Sequence, residues 1–129
     1  MRIAIVDDSS SVRMMINVCL EELGVNGDEI FEFSSAIEAL ADFDDNHYDL
    51  IFCDLHMPEM DGYELIETIY TKIDHLKASR IVMVSGEEDA SYKRILKEFG
   101  VRQFIKKPIQ PAAFLHHIKP LIEKIKRKY

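Results

Sequence analysis

Five short apolar runs alternate along the chain with five segments whose apolar residues recur at helical spacing. The runs at 2–6, 29–33, 50–53, 80–84 and 102–105 are predicted strands. The first, third and fourth are almost wholly aliphatic, as in parallel strands that are covered on both faces, whereas the mixed second run favours an edge. The alternation predicts a doubly wound α/β fold, with one five-stranded parallel sheet and helices on both of its faces.

The helical segments carry recognisable start and stop signals. Gly24 is expected to end the first helix, and Ser35 with Glu38 has the spacing of a capping box at the start of the second. The fifth helix should begin near Pro111, and Pro120 predicts a kink or an early end within it. The residues predicted to face the core in the first and fourth helices are Val12, Met15, Ile16, Cys19, Leu20 and Leu23, and Tyr92, Ile95, Leu96 and Phe99.

Composition narrows the class of protein further. The chain has 129 residues, which indicates one domain over 1–129, and its formal net charge is −7. Such a charge disfavours nucleic acid and anionic membrane as partners. Two cysteines do not indicate a disulfide framework, and the apolar runs are too short to predict a membrane span. A cytoplasmic location is therefore expected. A basic tail, 119–129, holds five bases and one acid and fits either a solvated helix end or a partner contact.

Polar residues follow four of the five predicted strands. Asp7 and Asp8 come after the first strand, Asp54 after the third, Ser85 after the fourth and Lys107 after the fifth. Any one of these aspartates alone would be read as a helix cap, but the carboxyl ends of parallel strands meet at one edge of the sheet. Three carboxylates at that edge repel each other unless a cation lies among them, and oxygen ligands of this kind suit Mg²⁺.

These motifs together resemble the response-regulator receiver domain over residues 3 to about 125. They are Ile3-Ala4-Ile5-Val6-Asp7-Asp8, the run Asp54-Leu55-His56-Met57-Pro58-Glu59-Met60-Asp61-Gly62, Ser85-Gly86 and Lys107-Pro108. The resemblance implies a flavodoxin-like, CheY-like sheet of strand order 2-1-3-4-5. It also implies a response regulator of a two-component phosphorelay.

The resemblance further implies a role for each matching residue. Asp54 would take a phosphoryl group from a phosphohistidine on a sensor histidine kinase or a histidine phosphotransfer protein. Asp7, Asp8, Asp54 and the backbone carbonyl of His56 would hold Mg²⁺ or Mn²⁺. Lys107, followed by a cis bond to Pro108, would bind the phosphoryl group. Ser85 and Phe104 would switch the surface of the fourth helix, fifth strand and fifth helix for a partner protein.

Three positions qualify this picture. Phe104 lacks the hydroxyl of a tyrosine, so its switching would depend on packing alone. His56 is large and titratable, and we expect it, with Glu87, to tune the lifetime of the phosphorylated state. Lys106 competes with Lys107 for the phosphoryl-binding role, but strand alternation and the position before Pro108 favour Lys107.

Other interpretations of the sequence stay open. The chain is expected to be a stand-alone receiver, monomeric or dimeric on phosphorylation, and the alternative is a receiver fragment of a longer regulator. A flavodoxin-like module would use the loop Ser9-Ser10-Ser11 to bind a phosphate. An aspartyl phosphatase or a receiver that only docks partners is less favoured. Only self-phosphorylation and autodephosphorylation are expected, so the protein is not predicted to be a turnover enzyme.

Overall fold

The computed structural model describes residues 1–76, 80–86 and 90–129, and these form one layered α/β unit. Across the described residues five parallel strands lie in the order β2-β1-β3-β4-β5, which confirms the predicted fold and strand order. The strands are β1 (Ile3–Val6), β2 (Ile30–Phe33), β3 (Leu50–Asp54), β4 (Ile81–Ser85) and β5 (Gln103–Lys106). The helices are α1 (Ser10–Glu22), α2 (Ala36–Phe43), α3 (Gly62–Lys72), α4 (Ala90–Glu98) and α5 (Pro111–Lys126).

Each face of the sheet has its own apolar core. Helices α1 and α5 pack on one face, where Phe52 of β3 stacks on Phe114 of α5 at a ring-centroid distance of 5.5 Å. Helices α2, α3 and α4 cover the other face, with Phe43, Leu65 and Leu96 among their buried residues. Because β1, β3 and β4 are apolar on both sides, they can lie in the middle of the sheet while β2 takes an edge.

Side chains fix where the helices begin. Ser9 caps α1 by accepting a hydrogen bond from the Val12 amide at 3.3 Å. Ser35 caps α2 through the Glu38 amide at 3.2 Å, but the Glu38 carboxylate accepts from the Ser34 hydroxyl, so the predicted reciprocal box is only half made. A full capping box instead starts α3, between Asp61 and Glu64.

The structure corrects several boundaries and burial predictions. Glu29 ends a 3₁₀ turn (Gly27–Glu29) before β2, and α5 continues through Pro120 to Lys126 instead of ending early. Met15 and Ile95 are more than one-third exposed, since the buried part of each helix is narrower than its apolar stripe: α1 buries Ile16, Cys19 and Leu20, and α4 buries Leu96 among its described residues. Tyr92 is also exposed, and its ring lies against the rings of His56 and Tyr63.

No helix among the described residues is long and apolar enough to cross a membrane.

Gly62 is the position where a side chain is least tolerable. It begins α3 directly against the end of β3, and its amide donates to the Leu55 carbonyl at 2.8 Å. A Cβ there would collide with the Asp54 carbonyl oxygen and lie 2.9 Å from the Leu55 Cα. Backbone atoms of a central strand have no room to retreat, so we expect Gly62→Ala to lower the free energy of unfolding by about 3 kcal/mol.

Chemical denaturation measures this effect, with Gly27→Ala as the matched control. A Cβ at Gly27 would meet nothing closer than the Glu21 carboxylate at 3.7 Å, an ordinary contact. The control should change the free energy of unfolding by about 0.5 kcal/mol or less. Equal losses in the two variants would contradict the close approach of α3 to β3.

Candidate functional site

The carboxyl ends of β1, β3, β4 and β5 open into one cleft. Asp54 is the last residue of β3, Ser85 the last of β4, and Asp7 and Lys107 directly follow β1 and β5. The cleft has a volume of about 880 Å³ and is open to solvent. Its lining includes Asp8, Ser11, Val12, Met15, Asp54, His56, Ser85, Gly86, Lys106, Lys107, Pro108 and Ile109.

Two of the predicted site carboxylates are buried beside one cation. Asp7 is 1 % exposed and Asp54 is 4 % exposed. The Lys107 ammonium lies 3.2 Å from Asp7 Oδ2 and 3.1 Å from Asp54 Oδ1, so Lys107 rather than Lys106 faces the acids. The Lys107–Pro108 bond is cis, as the resemblance implies.

The pKa values of Asp54 and Lys107 are both raised, but for different physical reasons. Burial, followed by the Asp7 carboxylate, raises the pKa of Asp54 to about 6, and this occurs despite the opposing effect of Lys107. Burial alone would lower the pKa of Lys107, but Asp54 and Asp7 together raise it. At neutral pH Asp54 is therefore mostly ionised and Lys107 is charged, which leaves an anionic oxygen beside a cation.

Residues outside the predicted set hold Asp7 in place. The Ser9 amide donates to Asp7 Oδ1 at 2.9 Å, and the Arg13 guanidinium donates to the Asp7 carbonyl at 2.6 Å. Arg13 also bonds the Glu32 carboxylate of β2 at 3.0 Å. The Asp7–Ser9 bond has the two-residue spacing of an Asx turn, a signal that was readable in the sequence. The Arg13–Glu32 pair joins distant segments, so only the structure reveals it.

The donor set fits a hard divalent cation. Oxygen atoms of Asp7, Asp8 and Asp54 all lie within 4.8 Å of one another. Asp8 is exposed at the cleft, whereas Asp7 Oδ2 is buried and makes no hydrogen bond within the described part of the chain, although the Lys107 ammonium is 3.2 Å away. Mg²⁺ prefers oxygen ligands, and all three of these residues supply carboxylate oxygens. A buried carboxylate oxygen without a hydrogen bond is also the kind of atom that a bound cation would satisfy.

The remaining predicted residues differ in how close they lie to the cleft. Ser85 is half-buried, and its carbonyl accepts from the Lys107 amide at 2.8 Å. His56 is exposed at the mouth, and its amide lies 3.4 Å from Asp54 Oδ1. Phe104 is half-buried outside the cleft, with the Lys93 ammonium 5.0 Å from its ring centroid. Glu87 lies outside the described residues.

Fold and site together define a class: a doubly wound α/β protein with an acidic, lysine-bearing cleft at the carboxyl edge of its sheet. Comparison with known proteins then identifies the family, because residues 3–119 match the response regulator receiver domain. The chain belongs to this family, the receiver domains of two-component response regulators.

Individual relatives agree with that membership. Protein PilG of Pseudomonas aeruginosa is 26% identical over 119 residues, which cover 92% of this chain and 85% of PilG. The sensory/regulatory protein RpfC of Xanthomonas campestris is 29% identical over 121 residues, but the match covers only 16% of RpfC. The probable transcriptional regulator ycf27 of Porphyridium aerugineum is 26% identical, and 49% of its length is covered.

Solved structures show the same architecture. The chemotaxis protein CheY4 of Vibrio cholerae superposes with a TM-score of 0.75 at 27% identity, and the match covers 98% of this chain and 96% of CheY4. The receiver domain of a signal transduction histidine kinase from Syntrophus aciditrophicus gives a TM-score of 0.79 at 28% identity, covering 98% and 92% of the two chains.

Proposed function

We propose that the Asp54 carboxylate accepts a phosphoryl group from a phosphohistidine on a sensor histidine kinase or a histidine phosphotransfer protein. The observation that carries this proposal is the pairing of Asp54 with Lys107 at 3.1 Å, at the floor of an open cleft. An ionised carboxylate supplies the nucleophile, and a fixed ammonium stabilises charge on the transferred oxygens. Family membership supports the donor class.

The reaction is a balanced exchange of one bond for another. An Asp54 oxygen attacks phosphorus while the phosphorus–nitrogen bond of the donor breaks, and that electron pair returns to the donor imidazole. The product is an aspartyl phosphate. Autodephosphorylation is the same displacement with water as the nucleophile, and it returns Asp54 as a carboxylate and releases inorganic phosphate. The protein therefore acts once per signalling cycle and does not turn over an external ester.

Mg²⁺ or Mn²⁺ would be held by the carboxylates of Asp7, Asp8 and Asp54 and by the backbone carbonyl of His56. A bound divalent cation supplies charge neutralisation for the phosphoryl oxygens. The chain's own contribution is positioning: the Ser9 amide and Arg13 fix Asp7, and the end of β3 fixes Asp54. Unfolding of the protein at rising Mg²⁺ concentration should therefore occur at progressively higher temperature.

The switch follows from where two side chains lie. Ser85 lines the cleft, so its hydroxyl can move toward a phosphoryl group on Asp54. Phe104 lies one strand away in a separate cavity of about 400 Å³, which it shares with Ala113 and His117 of α5. Inward movement of the Phe104 ring would reshape the α4–β5–α5 face, which we propose as the surface that binds a partner protein.

Phosphotransfer from a panel of autophosphorylated histidine kinases tests the proposal. At least one kinase should label the native chain in Mg²⁺ buffer and leave Asp54→Asn unlabelled. Asp61→Asn is the matched control, because Asp61 caps α3 outside the cleft and asparagine retains the cap. Labelling of Asp54→Asn equal to that of the native chain would refute Asp54 as the acceptor.

His56 is expected to protect the phosphorylated state. Its ring lies at the mouth of the cleft and makes an edge contact with Tyr92 at a centroid distance of 6.2 Å. The smaller side chain of His56→Asn should admit water and speed spontaneous hydrolysis at least about threefold. The decay of isolated phosphoprotein measures this, with His116→Asn on α5 as control. Identical decay of both variants and the native chain would remove the idea.

A further inference from the structure

A groove of about 440 Å³ lies at the edge of the sheet opposite Asp54. Arg80 and Arg102 directly precede β4 and β5, Lys124 lies in the last turn of α5, and Lys128 lies two residues beyond that helix. Leu50, Leu121 and Ile125 give the groove an apolar floor. We call this the basic groove, and no described residue that lines it also lines the cleft around Asp54.

The positive charge of the basic groove is largely unneutralised. Asp49, the one acid among the described residues that line the groove, is 3 % exposed and already accepts hydrogen bonds from the Arg2 amide and the Tyr129 hydroxyl, each at 2.8 Å. Arg80 lies 3.8 Å from the same carboxylate. Within the described ranges Arg102, Lys124 and Lys128 make no ion pair, and all three are exposed.

Two other basic residues of the tail, Lys126 and Lys119, already interact with other parts of the chain. The Lys126 ammonium bonds the carbonyls of Leu23 and Gly24 at 3.3 and 3.5 Å, where it neutralises the end of α1. Lys119 lies 4.0 Å from Glu123 one helical turn along. A solvated helix end therefore accounts for part of the basic tail, but Lys124 and Lys128 line the groove and make no ion pair with a described residue.

We propose that the basic groove binds a short acidic segment of a partner protein, with carboxylates on its arginines and lysines and one apolar side chain on its floor. Charge complementarity selects the occupant, because a cationic groove on a chain of net charge −7 attracts a short anion. Nucleic acid or an anionic membrane would extend beyond a Debye length of about 8 Å and meet the acidic remainder of the surface. This proposal does not depend on phosphorylation of Asp54.

Fluorescence anisotropy with the full, unphosphorylated chain tests it. The ligand is a labelled peptide with a central leucine flanked by glutamates, and the reference peptide has glutamines in their place. The double variant Arg102→Glu/Lys124→Glu should weaken binding of the acidic peptide about tenfold or more. The charge-matched variant Lys97→Glu/Lys119→Glu, outside the groove, should bind as the native chain does.

Amide chemical shifts of the native chain give a second readout that needs no variant. The acidic peptide should shift the amides of Arg80, Gly100, Arg102 and Lys124 and leave those around Asp54 unchanged. Equal affinity for the glutamine peptide, or shifts centred on the Asp54 cleft, would overturn the proposal. Concentration-dependent self-association that the groove variant abolishes would make the occupant a second copy and would also overturn it.

Discussion

Asp54→Asn should make the protein more stable at neutral pH in the absence of divalent cations. Raising the pKa of Asp54 from 3.8 to about 6 costs the native state on the order of 3 kcal/mol once the carboxylate ionises. The attraction of Lys107 is already contained in this net shift, so we expect the free energy of unfolding to rise by up to about 3 kcal/mol. Urea denaturation at several pH values measures it.

The pH dependence has a definite sign. The native pKa of Asp54 lies above the unfolded value, so ionisation of this carboxyl group lowers the free energy of unfolding. That loss is complete above about pH 6. The stability of the native chain relative to Asp54→Asn should fall as the pH rises from about 4 to 6 and then stay constant. Asp74→Asn, which removes one exposed carboxylate instead, is the control for the change in net charge. A stability gain that persisted below pH 4 would contradict the burial of Asp54 charge as its cause.

Lys107→Met should slow phosphoryl acceptance by about 10²-fold, because a fixed cation that stabilises a transition state contributes a factor of that order. The Lys107 ammonium lies 3.1 Å from Asp54 Oδ1, so no other described cation is placed to substitute for it at that distance. Rapid-quench phosphotransfer in Mg²⁺ buffer measures the rate, and circular dichroism confirms that the variant is folded.

Lys106→Met is the informative comparison for this effect. Lys106 lines the same cleft and precedes Lys107 by one residue, but no ion pair between it and Asp7 or Asp54 lies within 4.0 Å in the described chain. Its replacement should retain most of the rate. A loss equal to that of Lys107→Met would mean that the cleft needs positive charge in general and not the Lys107 contact.

The fold was predictable from sequence because local signals agreed with the global architecture. Three almost wholly apolar strands required cover on both faces, and the strand–helix alternation required a parallel sheet. The burial of Tyr92 and Ile95 was predicted wrongly for a physical reason. Helical periodicity marks an apolar stripe but not how much of it meets the sheet, and α4 buries only Leu96 among its described residues.

The sequence predicted which residues form the site but not the contacts that hold those residues in place. Asp7, Asp54 and Lys107 each end or follow a strand, and the rule that parallel strands share one edge was enough to bring them together. Three features of the structure depend on side-chain positions in segments that are distant along the chain. These features are the buried Asp7 Oδ2 that lacks a hydrogen bond, the hydrogen bond from Arg13 to Glu32, and the basic groove. Composition and spacing contain no information on such contacts.

Intact-mass spectrometry after incubation with a small acyl phosphate and Mg²⁺ tests the central claim most directly. The account predicts that the native chain gains the mass of one phosphoryl group, that hydroxylamine removes it, as expected of an acyl phosphate, and that fragmentation places it on Asp54. Asp61→Asn should behave like the native chain, and Asp54→Asn should gain nothing. A hydroxylamine-stable phosphoryl group, or one placed on another residue, would contradict the account.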